Sequence, residues 1–177
     1  MANDKTYYTV AETASLVRQA LKQAFPSTKF SVRSKSYSGG ASINVNWIDG
    51  PLTAEVERVA KQFEGATFDG MTDLKSYVSE KVVDDNGTVR EIHYGADFVF
   101  CTRRCSERLY RRAIGYLNAK YGYSIPENAL VVSEHDCWIS REHDRHISDR
   151  NDYLSHIVNR TGYSMTNSGC VVTRGLR

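Results

Sequence analysis

Phe30-Ser-Val-Arg-Ser-Lys-Ser-Tyr-Ser-Gly-Gly-Ala-Ser-Ile-Asn-Val-Asn-Trp47 is the stretch on which the fold of this chain turns. Phe30 and Val32 alternate with Ser31 and Arg33, and Ile43, Val45 and Trp47 alternate with Asn44 and Asn46. A period of two marks a strand with one face in the core and the other in water. Between the two runs, Ser36-Tyr-Ser-Gly-Gly40 supplies glycines that can take positive φ, so the runs are expected to pair as a hairpin.

Helical patterns flank the hairpin. Upstream, Thr9-Val-Ala-Glu12 has the form of a capping box, Ala14, Val17, Leu21, Ala24 and Phe25 recur at helical spacing, and Pro26 ends the pattern. Downstream, Asp49-Gly-Pro51 breaks the strand, and Val56, Val59, Ala60 and Phe63 form the inward stripe of a second helix. Residues 64–76 read as a loop punctuated by Gly65 and by a turn at Asp69-Gly70. Strands are expected near Tyr77–Val83 and over Thr88–His93, around the turn Asp85-Asn-Gly87. Ala96–Thr102 is almost continuously apolar, which predicts a central strand covered on both sides. Ser106 is placed to cap a third helix with Leu109, Ala113, Tyr116 and Leu117 inward and Gly122 near its end.

Beyond Tyr123 the texture changes. Pro126 and Asn128 mark a connection, Ala129–Val132 reads as a strand, and residues 135–152 are dense in His, Asp, Glu and Arg. A last helix is expected over Asp152–Asn159 with Tyr153, Leu154 and Ile157 inward, and an edge strand over Cys170–Thr173. The whole predicts an α+β fold: a mostly antiparallel sheet with helices packed largely on one face, plus a C-terminal α/β extension. The division expected is residues 1–123 for the main domain and 124–177 for the extension.

The bulk composition narrows the class. With 177 residues, 41% hydrophobic and 25% charged, the chain is expected to fold as a globular domain rather than stay disordered. A formal charge of +2 is too small to argue for nucleic acid by itself. The opening residues carry no basic-then-apolar signal region, and no run approaches the roughly 18 apolar residues that span a bilayer. A cytoplasmic protein without membrane contact is therefore expected. Cys101, Cys105, Cys137 and Cys170 lack framework spacing and fit reduced thiols.

Three segments carry a family resemblance: Ser31-Val-Arg-Ser-Lys-Ser-Tyr-Ser-Gly-Gly40, Phe68-Asp-Gly-Met71 and Gly95-Ala-Asp-Phe-Val-Phe100. With the order helix, hairpin, helix, strands, helix, they make residues 9–120 resemble the large polyvalent protein-associated domain 29. The resemblance implies a protein of phages and conjugative elements, whose polypeptides of this kind enter a recipient with the DNA and protect it against host defences. It implies no active site, so no catalytic residues carry over.

Two basic surfaces are the candidate binding sites. Arg103, Arg104, Arg108, Arg111 and Arg112 cluster with only Glu107 among them, and guanidinium groups at that density suit phosphates or carboxylates. Arg33, Lys35 and Tyr37 lie on the polar side of the hairpin beside Asn44 and Asn46, a pattern that can hold a nucleic-acid backbone while stacking a base. For both, and more strongly for the hairpin, an ordinary solvated face is the commoner reading of such a pattern. Gly39-Gly40 lacks the Lys-Ser/Thr ending of a phosphate loop.

The chemical alternative lies in His135-Asp-Cys137 and His143-Asp-Arg-His146, with Cys101, Cys105 and His156 elsewhere. These are residue types that zinc prefers, but the spacings match no standard finger. Cys137 as a nucleophile has no supporting motif. No catalytic set, metal or cofactor is therefore expected. The leading expectation is a non-enzymatic mobile-element protein that inhibits a host defence complex, of the CRISPR or restriction machinery, by binding. A nucleic-acid-binding module protecting incoming DNA is second, and a metal-dependent hydrolase using residues 135–146 is third.

Overall fold

The computed structural model describes residues 4–83, 89–134 and 136–165. The expected turn at 85–87, His135 and the expected strand at 170–173 lie outside them. The described residues hold four α-helices and twelve short strands, a mixed α+β fold in small, mostly antiparallel sheets. By its internal contacts the chain divides into two compact units, Met1–Trp47 with Thr53–Thr102, and Ile48–Leu52 with Arg103–Arg177.

In the first unit, α1 (Val10–Ala24) starts with the expected capping box. The Glu12 carboxylate accepts the Thr9 amide at 2.8 Å, and the Thr9 hydroxyl oxygen accepts the Glu12 amide at 3.3 Å. Each group satisfies a donor that the first turn leaves over. The strands β2 (Ser31–Tyr37) and β3 (Gly40–Ile48) pair antiparallel as expected, with Val32 opposite Val45 and Arg33 opposite Asn44. α2 spans Thr53–Ala60.

β8 (Phe98–Arg104) completes a three-stranded sheet of order β2-β3-β8. The Asp97 amide donates to Ala41 O at the start of β8 and the Asp49 amide donates to Arg104 O at its end, both at 2.8 Å, so β8 runs in the same direction as β3. A parallel neighbour needs a long crossover, and α2 with the strands after it supplies one. One core joins Ala14, Val17 and Leu21 of α1 and Val56 and Ala60 of α2 to Val32, Ile43, Val45, Trp47 and Val99 of the sheet. The helices thus cover one face, as expected. The expectation for β8 fails: it is an outer strand of its sheet, and Val99 is buried while Phe100 is 53% exposed. Among the described residues α1 and α2 pack on the Val99 side, and Phe100 turns away from them to solvent.

The rest of this unit is strands. β1 (Asp4–Tyr7), where no element was expected, lies parallel to β7 (Val89–His93), and β6 (Glu80–Val83) pairs antiparallel with β7. Residues 64–76, read as a loop, include the hairpin of β4 (Ala66–Asp69) and β5 (Leu74–Tyr77). Its turn is the Asp-Gly turn legible in the sequence: the Asp69 carboxylate accepts the Met71 amide and the Thr72 hydroxyl, both at 2.9 Å.

In the second unit, α3 (Glu107–Tyr121) is capped by Ser106, whose hydroxyl accepts the Leu109 amide at 3.3 Å, and Gly122 closes it in the left-handed conformation. Tyr110, Ile114 and Leu117 of α3 share a core with Leu130, Cys137 and Ile139 of the β9–β10 pair (Leu130–Val132 and Cys137–Ile139) and with Leu154, Ile157 and Val158 of α4 (Leu154–Ser164). So α3, read within residues 1–123, packs with the chain that follows it. β11 (His146–Ile147) and β12 (Asp152–Tyr153) form a second short antiparallel pair. Tyr153, expected inward, is 51% exposed, because α4 begins one residue after it.

Candidate binding surfaces

The sheet of the first unit presents its uncovered face to solvent. Val32, Ile43, Val45 and Val99 point into the core, so strand alternation sends Arg33, Lys35 and Tyr37 of β2, Asn44 and Asn46 of β3, and Phe98 and Phe100 of β8 to the other side. Arg33, Lys35, Asn46 and Phe100 are exposed, as is Tyr37 at 46%, and Asn44 and Phe98 are half-buried. The Phe98 and Phe100 ring centroids lie 6.3 Å apart at 42°. The sequence reading found the three residues of β2 but missed both phenylalanines. Their spacing of two was the available signal, hidden because Val99 between them and Cys101 after them are apolar as well.

Beside two of the segments that carry the resemblance, the tip of the β2–β3 hairpin and the start of β8 meet at one carboxylate. Asp97 Oδ2 accepts the Ala41 amide at 3.1 Å and the Lys75 ammonium at 3.0 Å, and Lys75 also donates to Gly39 O at 3.1 Å. Tyr77 and Asp97 together hold the Lys75 ammonium above the usual lysine value. Gly39 takes φ of +89°, and a Cβ on Gly40 would stand 2.0 Å from Asp97 Oδ2. The two glycines therefore serve the turn and the approach of Asp97 respectively. This is a structural pin tying the hairpin tip, the β4–β5 hairpin and the start of β8. A lysine already bound to a carboxylate and a carbonyl is not poised for chemistry.

The arginine cluster of the second unit divides. Arg104, Arg108 and Arg111 are exposed and Arg112 is half-buried. A hollow of about 430 Å³ lies along α3, lined by Glu107, Arg108, Arg111 and Arg112. Glu107 takes Arg111 in a 2.8 Å ion pair one helical turn on, leaving the rim partly neutralised. Arg103 is a correction: expected on the surface, it is 2% exposed. Its guanidinium donates to Asp49 O at 3.1 Å, Gly50 O at 3.4 Å, Tyr163 O at 2.7 Å and Met165 O at 2.6 Å. Arginine alone carries enough donors in a fixed fork to satisfy carbonyls from two directions, including those a helix end leaves over. Asp49 adds a carboxylate that accepts the Ser106 amide at 2.7 Å and hydroxyl at 2.6 Å.

The histidines of residues 136–165 are engaged with neighbours, two of them with the Tyr153 ring. His143 Nδ1 lies 2.8 Å from Ser140 Oγ, His146 meets the Tyr153 ring edge-on, and His156 Nδ1 lies 2.9 Å from Asp152. Among the described residues no three His, Cys, Asp or Glu side chains converge as metal ligands. Burial pushes the Cys101 and Cys105 thiols up to about 11 and raises Cys137, so all three are protonated at neutral pH, the opposite of an activated nucleophile. Among the described residues no helix is long and apolar enough to cross a membrane.

Compared with known families, residues 8–106 match the model described as large polyvalent protein associated domain 29. That match associates the chain with phages and other mobile elements. No curated protein and no solved structure matches the chain.

Proposed function

We propose, because the chain belongs to the large polyvalent protein associated domain 29 family, that it serves a phage or other mobile element as a non-enzymatic inhibitor of a host defence complex. It acts in the host cytosol by occupying a surface of CRISPR or restriction machinery. The observation that carries this reading is the sheet face left uncovered by α1 and α2, with Arg33, Lys35 and Tyr37 on it, in a chain of this family. A face that offers cations, amides and rings is equipped to adhere to a partner.

Stoichiometry separates a blocker from an enzyme. Purified protein is titrated into DNA-cleavage reactions of purified CRISPR effectors and restriction enzymes. Inhibition that saturates at an equimolar ratio, and is relieved when the protein is removed, is the expected result. Inactivation by trace amounts, or uninhibited cleavage by every complex from the element's own host, overturns the reading.

A further inference from the structure

We propose that the uncovered face of the β2-β3-β8 sheet holds single-stranded DNA, with bases stacked on Phe98, Phe100 and Tyr37 and phosphates met by Arg33 and Lys35. This rests on the reading that the protein works by binding, and it names what one of its surfaces takes.

Charge singles the face out. Residues 31–37, 40–47 and 98–102 include Arg33 and Lys35 and not one Asp or Glu. The acid just before β8, Asp97, is buried and already bound to Lys75. Among the described residues neither Arg33 nor Lys35 is tied into an ion pair, so both remain available to anions. Two cations on strands that carry no acid attract a polyanion, while the carboxylate nearest the rings, Glu64, is engaged with the Val99 amide at 2.8 Å on the edge of β8.

The rings set the kind of polyanion. Phe100 keeps half its surface in water, and Phe98, half-buried beside it, lies tilted to it at 42° rather than stacked on it. Duplex bases are already stacked and cannot reach such a platform, whereas unpaired bases can. The layout across the sheet fits a nucleotide's own order. The cations stand on the outer strand β2, the amides of Asn44 and Asn46 on β3, and the phenylalanines on β8. Two strand spacings, about 10 Å, separate cations from rings. A nucleotide spans that distance from its phosphate to the far edge of its base, with the amides under the edge groups. None of these contacts asks for a 2′-hydroxyl, so the occupant we commit to is DNA.

The test is fluorescence anisotropy of the full chain with a labelled DNA single strand of about a dozen nucleotides, within the usual range for such sheets. The same sequence as duplex and as RNA, and a salt series, complete it. Expected are binding of the single strand well ahead of the duplex, RNA no tighter than DNA, and affinity that falls as salt rises. Phe100→Ala weakens binding about tenfold, the loss of one stacking contact, while Phe100→Tyr retains it. Arg33→Ala and Lys35→Ala each flatten the salt slope by about 0.7. Circular dichroism confirms that the variants fold, as exposed positions allow. No binding at low salt, equal affinity for duplex, strong preference for RNA, or sensitivity to Arg104→Ala and Arg108→Ala with indifference to Phe100→Ala overturns the assignment. Failure here with blocking of a defence complex intact removes only this inference. DNA binding without any blocking removes the inhibitor reading instead.

Discussion

Gly40 has no side chain because Asp97 stands where one would be. A Cβ there meets Oδ2 at 2.0 Å and the Tyr37 ring at 3.1 Å, and the carboxylate cannot retreat without releasing the Ala41 amide and Lys75. Gly40→Ala is therefore expected to cost about 2 kcal/mol, within the range for overpacking, seen as a lower urea midpoint at unchanged slope. Gly70→Ala, with open space around its Cβ, is the control and leaves the midpoint nearly unchanged. A midpoint shift as small for Gly40 as for Gly70 contradicts the pin. At this scale the sequence was half legible. Gly39 and Gly40 announced a turn, but the partner of Gly40 lies 57 positions away at Asp97, beyond any local pattern. Arg103 was misread for the same reason. In sequence it is one of a run of arginines, and only the folded chain brings four carbonyls around it.

Among the elements, α1 was legible from end to end because a capping box, a helical stripe and a proline stop all agree. Its box also sets a pH dependence. Thr9, through its amide and then its hydroxyl, holds the Glu12 carboxyl below its ordinary value of 4.5. A lowered folded-state value means the carboxylate's contribution is fully present above the ordinary value and is lost as pH falls through the folded one. The thermal midpoint of the wild type is thus expected to exceed that of Glu12→Gln at neutral pH, with the gap closing on acidification below about 4.5. A gap constant with pH contradicts this role. β8 was legible as a strand but not as an outer one. An apolar run predicts burial, and only the one-sided packing of the helices leaves Phe100 in water. β1 was not legible, since four mostly polar residues gain their place by pairing with β7.

For the whole molecule, the α+β class and the one-sided helices followed from periodicity, and the family from three short segments. The candidate surface was legible on β2 and not on β8, because a binding face needs residues from separate strands and their juxtaposition is a property of topology. Adhesion through that face is the proposed source of the protein's effect on its host. The direct measurement is plaque formation by a restricted phage on a defence-competent strain producing the protein, against an isogenic strain without the defence. Wild-type protein is expected to restore plaques only where the defence operates. The folded variant combining Arg33→Ala, Lys35→Ala and Phe100→Ala is expected to restore none. Full protection by that variant, or none by the wild type against any defence of the host, contradicts the account.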